Sequence, residues 1–390
     1  MPLKSYDVIV AGVGSMGSAA CYHLARRGVR VVGIEQFDLP HARGSHHGYS
    51  RMIRQSYYEH PDYVPLLRRS YELWDDLNGR SCGGSGGEKI FHRTGGLYLG
   101  PPDGAIVPGA AAAAREHGLS HELLGAREVE ERFPAFCVED QYIGFYEENA
   151  GFIVPELAVR AHADLACAHG AEIRTGEGII DWRAEEGGVV VRTSRETVEA
   201  GHLLLTGGAW SGALLRELGA GLTVTRQVLA WLDPAGEHAS QLLAPGVFPC
   251  WFIETTTPFG HYGFPMTSSG GRGFKIALHQ PGLELVGADD PAVPVTEEEV
   301  GDLREILRRW IPIADGPLLT SCTCLYTNSP DGNFMLGPHP EYPGVTVAAG
   351  FSGHGFKFSP VVGEVLADFA CAGSTTHEVG FLSWERLLRS

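Results

Sequence analysis

Residues 6–38 read YDVIVAGVGSMGSAACYHLARRGVRVVGIEQFD, and this stretch decides the fold. The apolar run from Val8 to Ala11 is short enough for a buried parallel strand. Gly12, Gly14 and Gly17 follow in G-x-G-x-x-G spacing. After them come an Ala- and Leu-containing helical stretch to Arg27, a stop at Gly28, and a second apolar strand ending in Glu35. Together they make a complete βαβ dinucleotide-binding unit. Gly12 permits the tight turn, Gly14 lets the backbone approach a pyrophosphate, and Gly17 lets the helix pack close on the sheet. The helix N-terminus then favours the phosphate charge. Glu35, 23 residues past Gly12, suits a carboxylate accepting bonds from ribose hydroxyls and would repel a 2′-phosphate, which disfavours NADP. The unit alone does not separate NAD from FAD.

Around this unit the chain is long enough, at 390 residues, to bury a large core of about two to three domains' worth of structure. Its 52 glycines are spread among periodic segments, which points to tight turns and close ligand approach rather than low complexity. The formal charge of −17 speaks against nucleic acid as a partner, because phosphate binding needs a basic surface. A few buried cations can still make a positive pocket for a small anion. No run of about 18 apolar residues and no signal-peptide pattern is present, so a cytoplasmic protein with no membrane partner is expected. The eight cysteines show no disulfide-framework spacing and no metal site is expected.

Beyond the fingerprint, a loop rich in Gly, His and Arg leads into a helix spaced through Leu66, Leu67, Tyr71 and Trp74. SCGGSGGEK (81–89) is a linker by composition, and IFHRTGGLYLG (90–100) has the pattern of a hairpin. ELAVRAHADLACAHG (156–170) is a second amphipathic helix, followed by strands near GAEIRT, GGVVVRTS and HLLLTGGAW, the last running into Gly207 where the sheet meets a ligand again. From about 211 to 320, strand-like runs separated by Pro and Gly favour a mostly antiparallel sheet. The predicted class is α/β: a discontinuous Rossmann-type dinucleotide domain (1–80, 145–218 and 318–390) plus an α+β substrate domain (81–144 and 219–317).

Four stretches then agree in order: GSHHGYSRMIRQSY (44–57), HYGFP (261–265) with a following GFK, CLYTNSPDGNF (324–334) and GFSGHGFKFSPVVGE (350–364). With them the chain resembles the monomeric sarcosine oxidase and N-methyltryptophan oxidase family of FAD-dependent secondary amino acid oxidases, which includes pipecolate oxidases. The resemblance implies FAD as cofactor, oxidation of a secondary or N-methyl amino acid to an imine, O2 as the second substrate, H2O2 as product, and a monomer. Ser15, Met16, Gln36, Arg43, Ser45, His46, Gly353 and Gly355 join the fingerprint residues as expected FAD contacts. A same-fold dehydrogenase using another acceptor and a non-catalytic FAD-binding subunit are the alternatives.

The resemblance also assigns individual roles. Arg54 and Lys357 fall on the substrate carboxylate, Arg51 near the flavin ring, and Lys275 on the lysine that activates oxygen. His279 falls on a histidine that contacts substrate or shapes the pocket, and Tyr262 and Tyr326 on the cavity wall. TSCTCLYT (320–327) holds two cysteines two positions apart. A C-x-C disulfide is strained and a zinc site would need two further ligands. By the family register Cys324 carries a thioether to the flavin 8α-methyl, and Cys322 is left as a buried spectator. Against the family's pattern, Tyr49, Ser50 and Gln55 depart from the Asp, Thr and His common in this motif, and the stretch between Tyr262 and Lys275 is a little longer, with SSGG inserted.

Overall fold

The computed structural model describes residues 5–82, 88–215, 221–266, 273–289 and 293–388. The core of the expected linker and the SSGG segment lie outside these residues. Among the described residues the strands form sheets of eight, nine and three strands.

The eight-stranded sheet grows from the opening fingerprint. Strand Ser5–Ala11 pairs in parallel with Val31–Ile34 on one side and Thr197–Leu205 on the other, and helix Ser15–Arg26 makes the crossover. Glu172–Arg174 and Val345–Ala349 extend the parallel set at either edge. Val8–Ala11, Val31–Ile34, Leu203–Leu205 and Val345–Ala349 are buried along their length, as expected for parallel strands covered on both faces. Val8, Val10 and Val31 pack with Ala20, Leu24, Val361, Val365 and Leu366, which come from the first helix and from the late helix Ser359–Ala372. Gly12 has φ +94°, as the tight turn requires, and a Cβ on Gly17 would stand 1.9 Å from the Gly12 carbonyl oxygen. Glycine at 17 therefore sets the distance between helix and strand.

The nine-stranded sheet is antiparallel except where Gly96–Gly100 runs parallel to Cys250–Thr256. Its back face carries Leu97, Leu99, Ala230, Leu232, Trp251, Ile253, Phe274 and Ile276. These pack against Leu303, Leu307 and Trp310 of helix Glu297–Trp310. That helix begins with a capping box: Thr296 Oγ1 accepts from the Glu299 amide at 3.2 Å, and the Glu299 carboxylate accepts from the Thr296 amide at 2.8 Å. Each large side chain buried on this face contributes about 1.5–3 kcal/mol.

Two expectations need correction. Residues 90–100 are not a hairpin: Phe91–Arg93 pairs with Gly151–Ile153 in the three-stranded sheet, whereas Gly96–Gly100 joins the large sheet. Gly95, at φ +77°, redirects the chain between them. Strand Leu318–Asn328, expected in the dinucleotide domain, pairs along its length with Thr223–Leu232 and belongs to the large sheet. The return to the first sheet comes only at Met335–Pro338.

Candidate active site

A cavity of about 740 Å³ opens where the parallel strands end. Gly12, Gly14, Ser15, Met16 and Gly207 line its floor, with Glu35 and Gln36 beside them. Gly14 caps the first helix with no side-chain bond, so the first-turn amides are left for an anion. Glu35, 5% exposed, accepts from the Val13 amide at 2.8 Å and the Phe37 amide at 3.1 Å. Burial raises its pKa against the pull of those amides. Ser45, His46, Arg51, Tyr326, Gly353, Gly355 and Phe356 continue the lining. His46 is buried, its ring is held neutral by burial with a pKa of about 3, and its Nε2 has no partner. An uncapped helix start, an acid at the strand end and an unpartnered buried nitrogen fit a dinucleotide such as FAD. Arg43, Cys324 and Lys357, all expected contacts, do not line the cavity; Arg43 is exposed and lies over the Phe37 ring at 5.4 Å, whereas Cys324 and Lys357 are buried next in sequence to the lining residues Leu325 and Phe356. Gly17 acts behind the cavity, by packing.

The front face of the large sheet supplies the second wall. Side chains alternate along a strand, and registered partners share a face. The register Tyr98, Phe252, Tyr262, Ala277, Leu229, Cys322 therefore marks one row across the sheet. Lys275 and His279 flank Ala277 on the same face, and Cys324 and Tyr326 follow Cys322 on theirs. His279 Nδ1 lies 3.2 Å from the Tyr326 hydroxyl, and Tyr326 shares a hydrogen bond with Tyr262. Burial pulls His279 down to about 4 and pushes Tyr262 up to about 12, so near neutrality the imidazole is uncharged and the phenol protonated. A Cβ on Gly353, at φ +79°, would stand 2.2 Å from Tyr326, so the glycine-rich turn lies flat against this ring.

Lys275 is 2% exposed, and its Nζ donates to the carbonyls of Gly48 at 2.7 Å and Ser50 at 2.9 Å and to Ser50 Oγ at 3.2 Å. Burial and the charge of Arg51 draw its pKa well below the usual lysine value. Arg51 itself donates to the Ser50 and Ser45 carbonyls.

Arg54 and Lys357 form a separate cationic group. Lys357 Nζ donates to the His354 carbonyl at 2.7 Å and to the Tyr57 hydroxyl at 3.4 Å, and the Arg54 guanidinium lies 4.2 Å from the Tyr57 ring centre. Sequence reasoning missed Glu59, whose two oxygens accept from Arg54 Nη2 at 2.6 and 2.7 Å. Burial alone would raise the Glu59 carboxyl, but Arg54, His354 and Lys357 together hold it near 2. While Lys357 is protonated, two cations against one carboxylate leave a net single positive charge in a buried place. The only signal for Glu59 was a carboxylate five residues after Arg54, which is too common to be informative.

Cys324 is buried in a cluster with Leu229, Trp231, Ala277 and Tyr326. Burial raises its thiol pKa, while Arg51 and Lys275 pull it back. Cys322 is partly buried, 4.0 Å from His47 Nδ1. Among the described residues no group of three or more His, Cys, Asp or Glu side chains could hold a metal, and no helix is long and apolar enough to cross a membrane.

The family model of FAD dependent oxidoreductases matches residues 7–369. The chain is 41% identical over 384 residues to a monomeric sarcosine oxidase of Streptomyces avermitilis, covering 98% of both. It is 34% identical to an N-methyl-L-tryptophan oxidase of Salmonella dublin, covering 96% of this chain and 97% of that protein. Among solved structures, NikD, an unusual amino acid oxidase essential for nikkomycin biosynthesis, superposes with a TM-score of 0.83 at 27% identity over 97% of both chains.

Proposed function

The chain belongs to the FAD-dependent oxidoreductase family, within the group of monomeric sarcosine oxidases and N-methyltryptophan oxidases, and from that premise we propose that it oxidises a secondary or N-methyl amino acid to an imine with reduction of O2 to H2O2. The observation that carries this reading is the convergence of Lys275, His279, Tyr262 and Tyr326 on one sheet face that meets the dinucleotide cavity at Tyr326.

Gly12, Gly14, Ser15 and Met16 would hold the pyrophosphate, Glu35 and Gln36 a ribose, and Arg51, Gly353 and Gly355 the flavin end. Bound FAD supplies the two-electron acceptor, taking a hydride equivalent from the carbon beside the amine nitrogen and returning the electrons to O2. Arg54 and Lys357 bind the substrate carboxylate, which matches the single net positive charge left after pairing with Glu59. Tyr262 and Tyr326 exclude water and orient the amine, with His279 as an uncharged acceptor beside them. Lys275 places positive charge where O2 is reduced, in a dry site where such charge is most effective.

Cys324 is the proposed covalent anchor. Its thiol would hold FAD through a thioether at the 8α-methyl, the two protons and two electrons given up leaving to O2 as H2O2. The protein acts as a cytoplasmic monomer.

The test is an anaerobic screen of the purified holoenzyme with sarcosine, N-methyltryptophan and pipecolate, followed by admission of air. At least one amine should bleach the flavin, and air should restore the colour with release of H2O2. Lys275→Met should still be bleached yet recover its colour far more slowly. Flavin that no amine bleaches, or that recovers only with an added acceptor, would reject the reading.

A further inference from the structure

Lys275 takes its position from a turn that is not its own. All of its donors go to Gly48 and Ser50, and that turn is in a costly conformation: Gly48 has φ +96° and Tyr49 φ +64°. A bulky aromatic in the left-handed region costs about 1–2 kcal/mol and persists only where its surroundings hold it. What holds it comes from a distant part of the chain. Glu156 Oε1 accepts from the Gly48 amide at 2.7 Å and the Tyr49 amide at 3.1 Å.

The fold explains this meeting. Strand Arg51–Ile53 pairs antiparallel with Gly151–Ile153, with Arg51 opposite Ile153. Three residues beyond each, Gly48 and Glu156 come face to face. Glu156 is fixed there in the first turn of helix Pro155–Ala168. Its other oxygen, Oε2, is buried without a partner, and the residue lines a second cavity of about 690 Å³ with Tyr49, Trp231 and Cys322. The Tyr49 ring meets Trp231 edge-on, and the Trp231 ring lies 5.4 Å from Lys275 Nζ.

We propose that Glu156 is a positioning residue for oxygen reduction: by clamping the Gly48 and Tyr49 amides it aims the Gly48 and Ser50 carbonyls that hold the Lys275 ammonium. The inference rests on the reading of Lys275 as the oxygen-activating group. Nothing in it involves the amine site, so the two half-reactions should separate.

The experiment uses dithionite-reduced holoenzyme mixed with O2 in stopped flow, anaerobic reduction by an amine that bleaches the wild type, and amide hydrogen exchange over residues 44–53. In Glu156→Ala the O2 rate should fall at least tenfold while amine reduction stays within about twofold, and the Gly48 and Tyr49 amides should exchange at least tenfold faster. Glu156→Gln keeps an acceptor oxygen at the same reach and should match the wild type in all three. Glu156→Asp, whose shorter arm cannot hold both amides, should fall between them, and it serves where the alanine variant fails to retain FAD. Amides that loosen with no change in O2 rate would overturn the proposal, as would a parallel fall in both half-reactions. A glutamine variant as slow as alanine would overturn it in favour of the carboxylate charge. Wild-type enzyme that reacts with O2 no faster than free flavin would instead reject the Lys275 reading, and this proposal with it.

Discussion

At Lys357 burial and charge act in the same direction. Desolvation and the neighbouring Arg54 pull its ammonium down to about 7 against the opposing carboxylate of Glu59. Carboxylate binding needs the protonated form, so affinity should be flat below about pH 7 and weaken by up to tenfold per unit above it, following the loss of the proton. Titration of the flavin absorbance with acetate between about pH 6 and about pH 9 would show this, and Lys357→Met should remove the slope. A dissociation constant independent of pH in the wild type would dismiss Lys357 as a ligand. The same shift acts on stability with a definite sign. Between about pH 7 and the unfolded value of about 10.4, the unfolded chain carries a proton that the folded one lacks, so this site makes the fold more stable as pH rises through that window. At the cysteine pair, Cys324→Ala should release FAD on acid precipitation, while Cys322→Ala should leave the flavin in the precipitate. The reverse pattern would move the anchor to Cys322.

Glycines in two elements make contrasting predictions. Alanine at Gly17 drives its methyl into the Gly12 carbonyl, so the helix must move off the strand that carries the dinucleotide cradle. FAD should be lost, with a stability cost at the upper end of the ~0.5–3 kcal/mol typical of single substitutions. Alanine at Gly353 combines a left-handed backbone with contact against Tyr326. FAD should remain, but amine reduction should slow at least tenfold as Tyr326 is pushed from His279, and a rate equal to wild type would show that this contact does not matter. Elements of this kind also set what the sequence made legible. The unit Ser5–Ile34 could be read because its strand, turn, helix and strand are contiguous and each glycine has a local reason. The hairpin at 90–100 was misread because alternation does not reveal which sheet a strand joins. Lys275, His279, Cys324 and Tyr326 were named by resemblance, but their common face depends on pairings across the chain that periodicity cannot supply. Glu156 escaped for the same reason, being an ordinary acid until the fold brings Gly48 to it, whereas Glu59 escaped because a carboxylate five residues after an arginine is too common a pattern to stand out.

Over the whole molecule, the formal charge of −17 and the buried cations Arg51, Arg54, Lys275 and Lys357 oppose one another. A small carboxylate approaching from solvent meets the acidic exterior first and the cationic interior only at the end. The exterior field acts through water and is screened by salt, with a Debye length that shrinks from about 30 Å at 0.01 M to about 8 Å at 0.15 M. The interior cations act at contact distance in a dry place, where salt screens little. Raising the ionic strength should therefore remove the repulsion and keep the attraction. The association rate of acetate with the oxidised enzyme, followed by stopped-flow absorbance of the flavin, should rise severalfold over that range while its dissociation rate changes little. An association rate that falls with salt would mean that the pocket's positive field reaches past the acidic surface and steers the ligand from outside.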